Sequence, residues 1–143
     1  MPLPRAVFVD TSYLIAGIVE RDAHHAAAAE LAVAMQRSGT RLVTTRAVLL
    51  ELGDALSRPS GRRAAVRLLA TIDSDAATRV VEVTSARYTA ARALYDARAD
   101  QSWGLTDCVS FVVMREFALT HALTADHHFE QAGFVALLRG GAA

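Results

Sequence analysis

Four carboxylates stand where their apolar neighbours leave little room for an ordinary surface charge. Asp10 follows the run Ala6-Val7-Phe8-Val9, and Glu51 sits inside Val48-Leu49-Leu50-Glu51-Leu52. Asp107 opens the stretch Asp107-Cys108-Val109-Ser110-Phe111-Val112-Val113-Met114, and Asp126 closes Leu123-Thr124-Ala125-Asp126. Gathered in one crevice, such groups repel at neutral pH unless protons or cations neutralise them. Carboxylate oxygens favour hard Mg²⁺ or Mn²⁺, whereas zinc usually takes histidine or cysteine as well. An ion held by a few carboxylates and waters keeps positions open for phosphate oxygens, where it can activate water and stabilise a leaving oxygen. The chemistry such a set would do is hydrolysis of a phosphodiester.

Taken singly, each acid has an ordinary reading. Asp10 can cap the helix after its strand, and Asp107 can oppose a helix dipole, an effect of about 0.3–1 kcal/mol. Glu51 can pair with Arg46, and Asp126 can be a turn residue. The ordinary readings weaken together, because two of the acids follow strand ends, one starts a helix and one lies in the helix after strand two.

The elements that must position them alternate. Strand 6–9 leads to a helix from about Ser12 to Glu20, then a helix over 23–37 with Asp22 as its cap. Strand 42–45, a helix from Arg46 to about Leu56 and another over 62–72 follow. Strand 80–83, a helix from Thr84 or Ser85 to about Arg98, and a buried helix capped by Thr106 and running to Phe117 come next. Strand 119–123, a short helix near 127–131 and strand 134–138 complete the series, with Gly140-Gly141-Ala142-Ala143 expected to be a frayed tail. No hairpin signal joins successive strands. The pattern therefore predicts a mostly parallel sheet of about five strands with helices on both faces. Chemistry in such sheets gathers beyond the carboxyl ends of the strands.

At 143 residues the chain fits one domain spanning 1–143, able to bury a core without disulfides. Its single cysteine, Cys108, cannot form an internal disulfide and reads as a small buried hydrophobe. No membrane span or secretory pattern is visible, so a cytoplasmic location is expected. Fifteen acidic and fifteen basic residues cancel, so net charge does not advertise nucleic-acid binding. All the basic residues are arginine, and the missing lysine excludes chemistry that requires one.

The residues also carry a family resemblance. Val7-Phe8-Val9-Asp10-Thr11-Ser12, Thr44-Thr45 with Val48 and Glu51, Leu105-Thr106-Asp107-Cys108-Val109-Ser110-Phe111, and Leu123-Thr124-Ala125-Asp126-His127-His128-Phe129 with Ala132-Gly133-Phe134 resemble PIN domains. The similarity is nearest to the VapC-type toxins of prokaryotic toxin–antitoxin pairs. It implies a three-layer α/β/α fold and a Mg²⁺- or Mn²⁺-dependent endoribonuclease. It also implies a homodimer, RNA as substrate and a small cognate antitoxin as inhibitor. Carried over by position, Asp10, Glu51, Asp107 and Asp126 are the metal-binding, catalytic acids, and Ser12 supports the site. Asp100 resembles an aspartate that precedes the third block in one subgroup; approaching the metal, orienting Thr106 and holding the loop are its open roles.

Other residues invite weaker readings. His24 and His25 point about 100° apart on a helix, so they do not share one ligand readily. His127 and His128 adjoin Asp126, where phosphate contact competes with a surface or packing role. Trp103 either staples its loop or stacks a base. Arg46 and Arg115 are the first candidates for phosphate contact. Two rival functions bear on the set. Phospho-acceptor receiver domains and haloacid-dehalogenase phosphatases need a lysine, and the phosphatase also needs an aspartate where Ser12 stands. The other rival is a PIN-like RNA-binding or protein-interaction module without nuclease activity.

Overall fold

The computed structural model describes residues 2–140; Met1 and residues 141–143, which hold most of the expected frayed tail, lie outside the described residues. The strands are β1 Ala6–Val9, β2 Arg41–Thr45, β3 Thr78–Val81, β4 His121–Leu123 and β5 Val135–Ala136. They form one sheet in the order β3-β2-β1-β4-β5, with every neighbouring pair parallel. Helices make all the connections. α1 Thr11–Ile18 and α2 His25–Ser38 join β1 to β2, and α3 Arg46–Ala55 and α4 Pro59–Ser74 join β2 to β3. α5 Ser85–Ala97 and α6 Leu105–Glu116 join β3 to β4, and α7 His127–Gln131 joins β4 to β5. This is the expected three-layer α/β/α sandwich. Among the described residues no helix is long and apolar enough to cross a membrane.

The strand order decides where a site can form. The chain moves outward from β1 through β2 to β3, then returns to lay β4 on the other side of β1. Connections from β1 and β4 therefore diverge, and a crevice opens beyond their carboxyl ends. The two strands are in register there, Val9 beside Leu123, and the Asp10 N–H donates to the Leu123 carbonyl at 3.1 Å.

Several element ends differ from the sequence expectation. β3 begins at Thr78, because Asp75 accepts from the Ala77 N–H at 3.0 Å and the Thr78 hydroxyl at 2.7 Å, a turn that starts the strand early. Glu82 and Val83 fall beyond it. α2 starts at His25, because Asp22 accepts from the His24 N–H and so closes the turn before the helix. α4 begins at Pro59, whose missing N–H costs nothing in the first turn. Strand five shortens to Val135–Ala136, since Leu137–Arg139 wind into a 3₁₀ turn ending at Gly140, φ 74°. Thr106 does not cap α6: Gly104 holds that position, and Thr106 lies in the first turn.

Under the crevice lies an aromatic cluster. Phe111 of α6 meets Phe129 of α7 edge-on at 5.0 Å between centroids, and Trp103 meets Phe111 the same way at 5.0 Å. Phe8 of β1 lies 6.2 Å from Phe129. Phe8, Phe111 and Phe129 are all fully buried, and each is a few residues from Asp10, Asp107 or Asp126 respectively. Trp103 also donates from Nε1 to Gln131 Oε1 at 3.0 Å, stapling the loop before α6 to α7.

Candidate active site

A cavity of about 480 Å³ opens at this crevice, and Asp10, Glu51, Asp107 and Asp126 all line it. Asp10 is the residue after β1 and is 7% exposed. Its Oδ2 accepts from the Thr124 hydroxyl at 2.7 Å and from the Ser12 hydroxyl at 2.9 Å. The two hydroxyls lie 3.1 Å apart, and Ser12 Oγ also accepts the Ala125 N–H. Burial is the main force on this carboxyl and raises its pKa. Hydrogen bonds from Thr124, Ser12 and the backbone at Thr11 pull it back down, while the charge of Glu51 pushes up.

Asp107 is the third residue of α6. Its Oδ2 accepts from the Gly104 N–H at 3.0 Å, satisfying one of the free donors at the helix start. The same oxygen lies 3.0 Å from His128 Nδ1. Its pKa is also raised, first by burial and then by the charges of Asp126 and Asp10, against the lowering effect of Gly104 and His128. Thus Asp10 feels Glu51, and Asp107 feels both Asp126 and Asp10. Groups from four separate elements share one electrostatic environment.

Glu51 is less enclosed than its apolar flanks suggest. It is exposed, as is Leu50 at 65%, so it stands at the edge of the cavity. Arg46 does not pair with it; that guanidinium forks onto Glu82 at 2.7 and 3.2 Å. Asp126 caps α7, accepting the His128 N–H at 2.9 Å, and is half-buried. Thr106 lines the cavity, with its carbonyl accepting from Ser110. Asp100 is not brought to the site. It is exposed and paired with Arg98 at 3.0 and 3.1 Å. Arg115 lies over the Phe134 ring, and no arginine lines the cavity among the described residues.

Two further residues are drawn in, Thr124, to which the sequence assigned no role, and His128, read there only as a phosphate contact or a surface or packing residue. Thr124 is fully buried, and its hydroxyl both donates to Asp10 and accepts the Asp126 N–H at 3.0 Å. One side chain thereby fixes the spacing of two acids. A threonine two places before an aspartate at a strand end was the available signal. The second is His128, whose ring reaches both Asp107 and Asp126 while His127 turns outward at 57% exposure. Thr124→Val should disturb Asp10 and Asp126 together and lower the hydrolytic activity of the site about tenfold or more, with Thr124→Ser close to the parent. Equal activity of the valine variant in a cleavage assay would remove this role.

The donor chemistry fits a divalent ion. The carboxylates are oxygen donors partly withdrawn from water, where ionisation is costly without a counter-charge. Asp10 and Asp107 each have Oδ2 tied to protein donors.

The family model for the PIN domain matches residues 7–135. Among solved structures, the chain resembles the VapC20 toxin of Mycobacterium tuberculosis, described as cleaving the sarcin-ricin loop. Sequence identity is 32% and the TM-score 0.81, covering 90% of this chain and 96% of that one. The fold is shared with VapBC2 from Rickettsia felis, described as bound to a DNA fragment from its promoter. There identity is 12% and the TM-score 0.63, covering 92% of this chain and 96% of that one. No curated protein matches the sequence at a significant level.

Proposed function

The chain belongs to the PIN domain family, and from that premise we propose that it is a VapC-type toxin, a divalent-metal-dependent endoribonuclease that hydrolyses RNA phosphodiester bonds. The observation that carries the reading is the convergence of Asp10, Glu51, Asp107 and Asp126 on one cavity at the crevice between β1 and β4. Asp10, Asp107, Glu51 and Asp126 would hold Mg²⁺ or Mn²⁺. When bound, such an ion supplies an activated water and stabilises charge on the leaving oxygen. The protein's part is to aim the carboxylates. Ser12 and Thr124 hold Asp10, and the Gly104 N–H holds Asp107. Ile15 and Leu105 give the cavity apolar wall, which limits competing water.

The purified protein should cut RNA in Mg²⁺ or Mn²⁺, stop in EDTA and resume when the ion is returned. Because the Mycobacterium relative is described as acting on the sarcin-ricin loop, an RNA hairpin of that loop is the first substrate to offer. Cleavage that persists in chelator would point to a metal-free mechanism and overturn the metal dependence. The partners we propose are RNA, a cognate antitoxin and a second copy of the chain, in the cytoplasm. Exposed Leu50, Val66, Tyr88 and Tyr95 offer apolar surface for protein partners to cover.

A further inference from the structure

α7 is only five residues long, yet it carries an imidazole into the carboxylate cavity. His128 Nδ1 stands 3.0 Å from Asp107 Oδ2 and 3.4 Å from Asp126 Oδ1. Asp107 Oδ2 also accepts the Gly104 N–H, and an ionised carboxylate, the form that binds a cation, has no proton to give, so in that form the contact is Nδ1–H donating to Oδ2. With two donors on Oδ2, and no hydrogen bond reaching Oδ1 among the described residues, the carboxylate's two oxygens are unequal. Asp10 shows the same arrangement by other means, its Oδ2 taking the hydroxyls of Thr124 and Ser12.

The ring is itself held firmly. The backbone N–H of His128 donates to Asp126, and the next residue, Phe129, is fully buried against Phe111 of the helix that carries Asp107. His128 and Asp107 side chains are each 19% exposed, so their contact is sheltered from water. The neighbouring His127 has none of these restraints beyond a 3.7 Å approach to Asp126.

We propose that His128 is a positioning residue of the ion site: by holding Asp107 Oδ2 together with the Gly104 N–H, it turns the other oxygen of Asp107 toward the divalent ion. The inference rests on the metal-dependent reading above. It concerns how Asp107 is aimed and assigns no metal bond to the histidine. Partners that orient a metal-binding side chain are worth about 10–100-fold in affinity.

The test is Mn²⁺ binding to the full chain, followed by electron paramagnetic resonance without RNA, for the parent, His128→Leu, His128→Asn and Asp107→Asn. Asparagine returns an N–H donor near the place of Nδ1, whereas leucine has none. His128→Leu should bind Mn²⁺ about tenfold or more weakly, and His128→Asn within about threefold of the parent. No directly bonded nitrogen should appear in the hyperfine spectrum. Thermal unfolding of the metal-free proteins identifies the folded fraction, and affinities are compared for that fraction. Parent-like affinity in His128→Leu, with Asp107→Asn impaired, would overturn the inference and leave the metal reading standing. A directly coordinated nitrogen lost in His128→Leu would also overturn it, making the histidine a ligand. Absence of Mn²⁺ binding in the parent would bring down both readings.

Discussion

Asp10→Asn should lower RNA cleavage by about a hundredfold to a thousandfold or more, the scale lost when one charge-stabilising group leaves a reaction site. The same change should leave the metal-free fold as stable as before, or more so. Burial raises the folded-state pKa of Asp10, with Glu51 adding to the rise. A raised carboxyl contributes stability that is complete below its unfolded value, about 3.9, and is lost as pH climbs through the folded value. At neutral pH the buried charge is thus a burden that asparagine lifts. Asp107 acts in the same direction, while Asp75, Glu82, Asp100 and Glu116 are lowered and slope the other way. The informative quantity is therefore the difference in melting temperature between parent and Asp10→Asn, measured in EDTA. The variant should gain on the parent as pH rises from about 4 to 7. A variant that loses stability over that range would contradict the account of a strained acid, and cleavage at the parent rate would remove Asp10 from the chemistry.

Phe111→Ala should be the most damaging single change to the fold. The side chain is fully buried and touches the rings of Trp103, Phe129 and Phe134. Truncating a buried phenylalanine costs about 3–5 kcal/mol, against a total stability of about 5–15 kcal/mol for a domain. Urea unfolding followed by circular dichroism should show the midpoint falling sharply with the slope unchanged. Phe111 lies on α6 with Asp107, and Phe129 on α7 with His128, so residual folded protein should also bind Mn²⁺ poorly. A loss under about 1 kcal/mol would mean that the elements are held at the crevice by something other than this cluster.

The α/β alternation was readable because each short apolar run ends at a polar or turn residue, and no hairpin signal intervenes. Asp10 and Asp126 were readable for the same reason: a carboxylate directly after a buried strand has few places to go. Strand three was misplaced because Val80-Val81-Glu82-Val83 has better strand composition than Thr78-Arg79, and pairing with Leu42–Thr45 fixed the register. Hydroxyl residues favour the cap position, which is why the sequence points to Thr106 there. The reciprocal contact between the Gly104 N–H and Asp107 made glycine sufficient there. Glu51 was expected to be enclosed by its apolar flanks, but Leu50 beside it is also outward-facing, so the local run overstated burial. The role of Thr124 and the contact of His128 with Asp107 were not legible, because they depend on partners 114 and 21 positions away, which no local pattern displays.

The bond between Thr124 and Asp10 joins residues separated by 114 positions, and β4 is laid beside β1 only after the first three strands have been made. During synthesis, then, the first acid stands without the hydroxyl that aims it until 114 further residues have been added. A nascent or prematurely terminated chain that stops short of Thr124 carries Asp10 and Glu51 but no complete pocket. Any hazard this protein poses to the RNA around it is deferred until β4 and the three residues that follow it, Thr124 to Asp126, have been made.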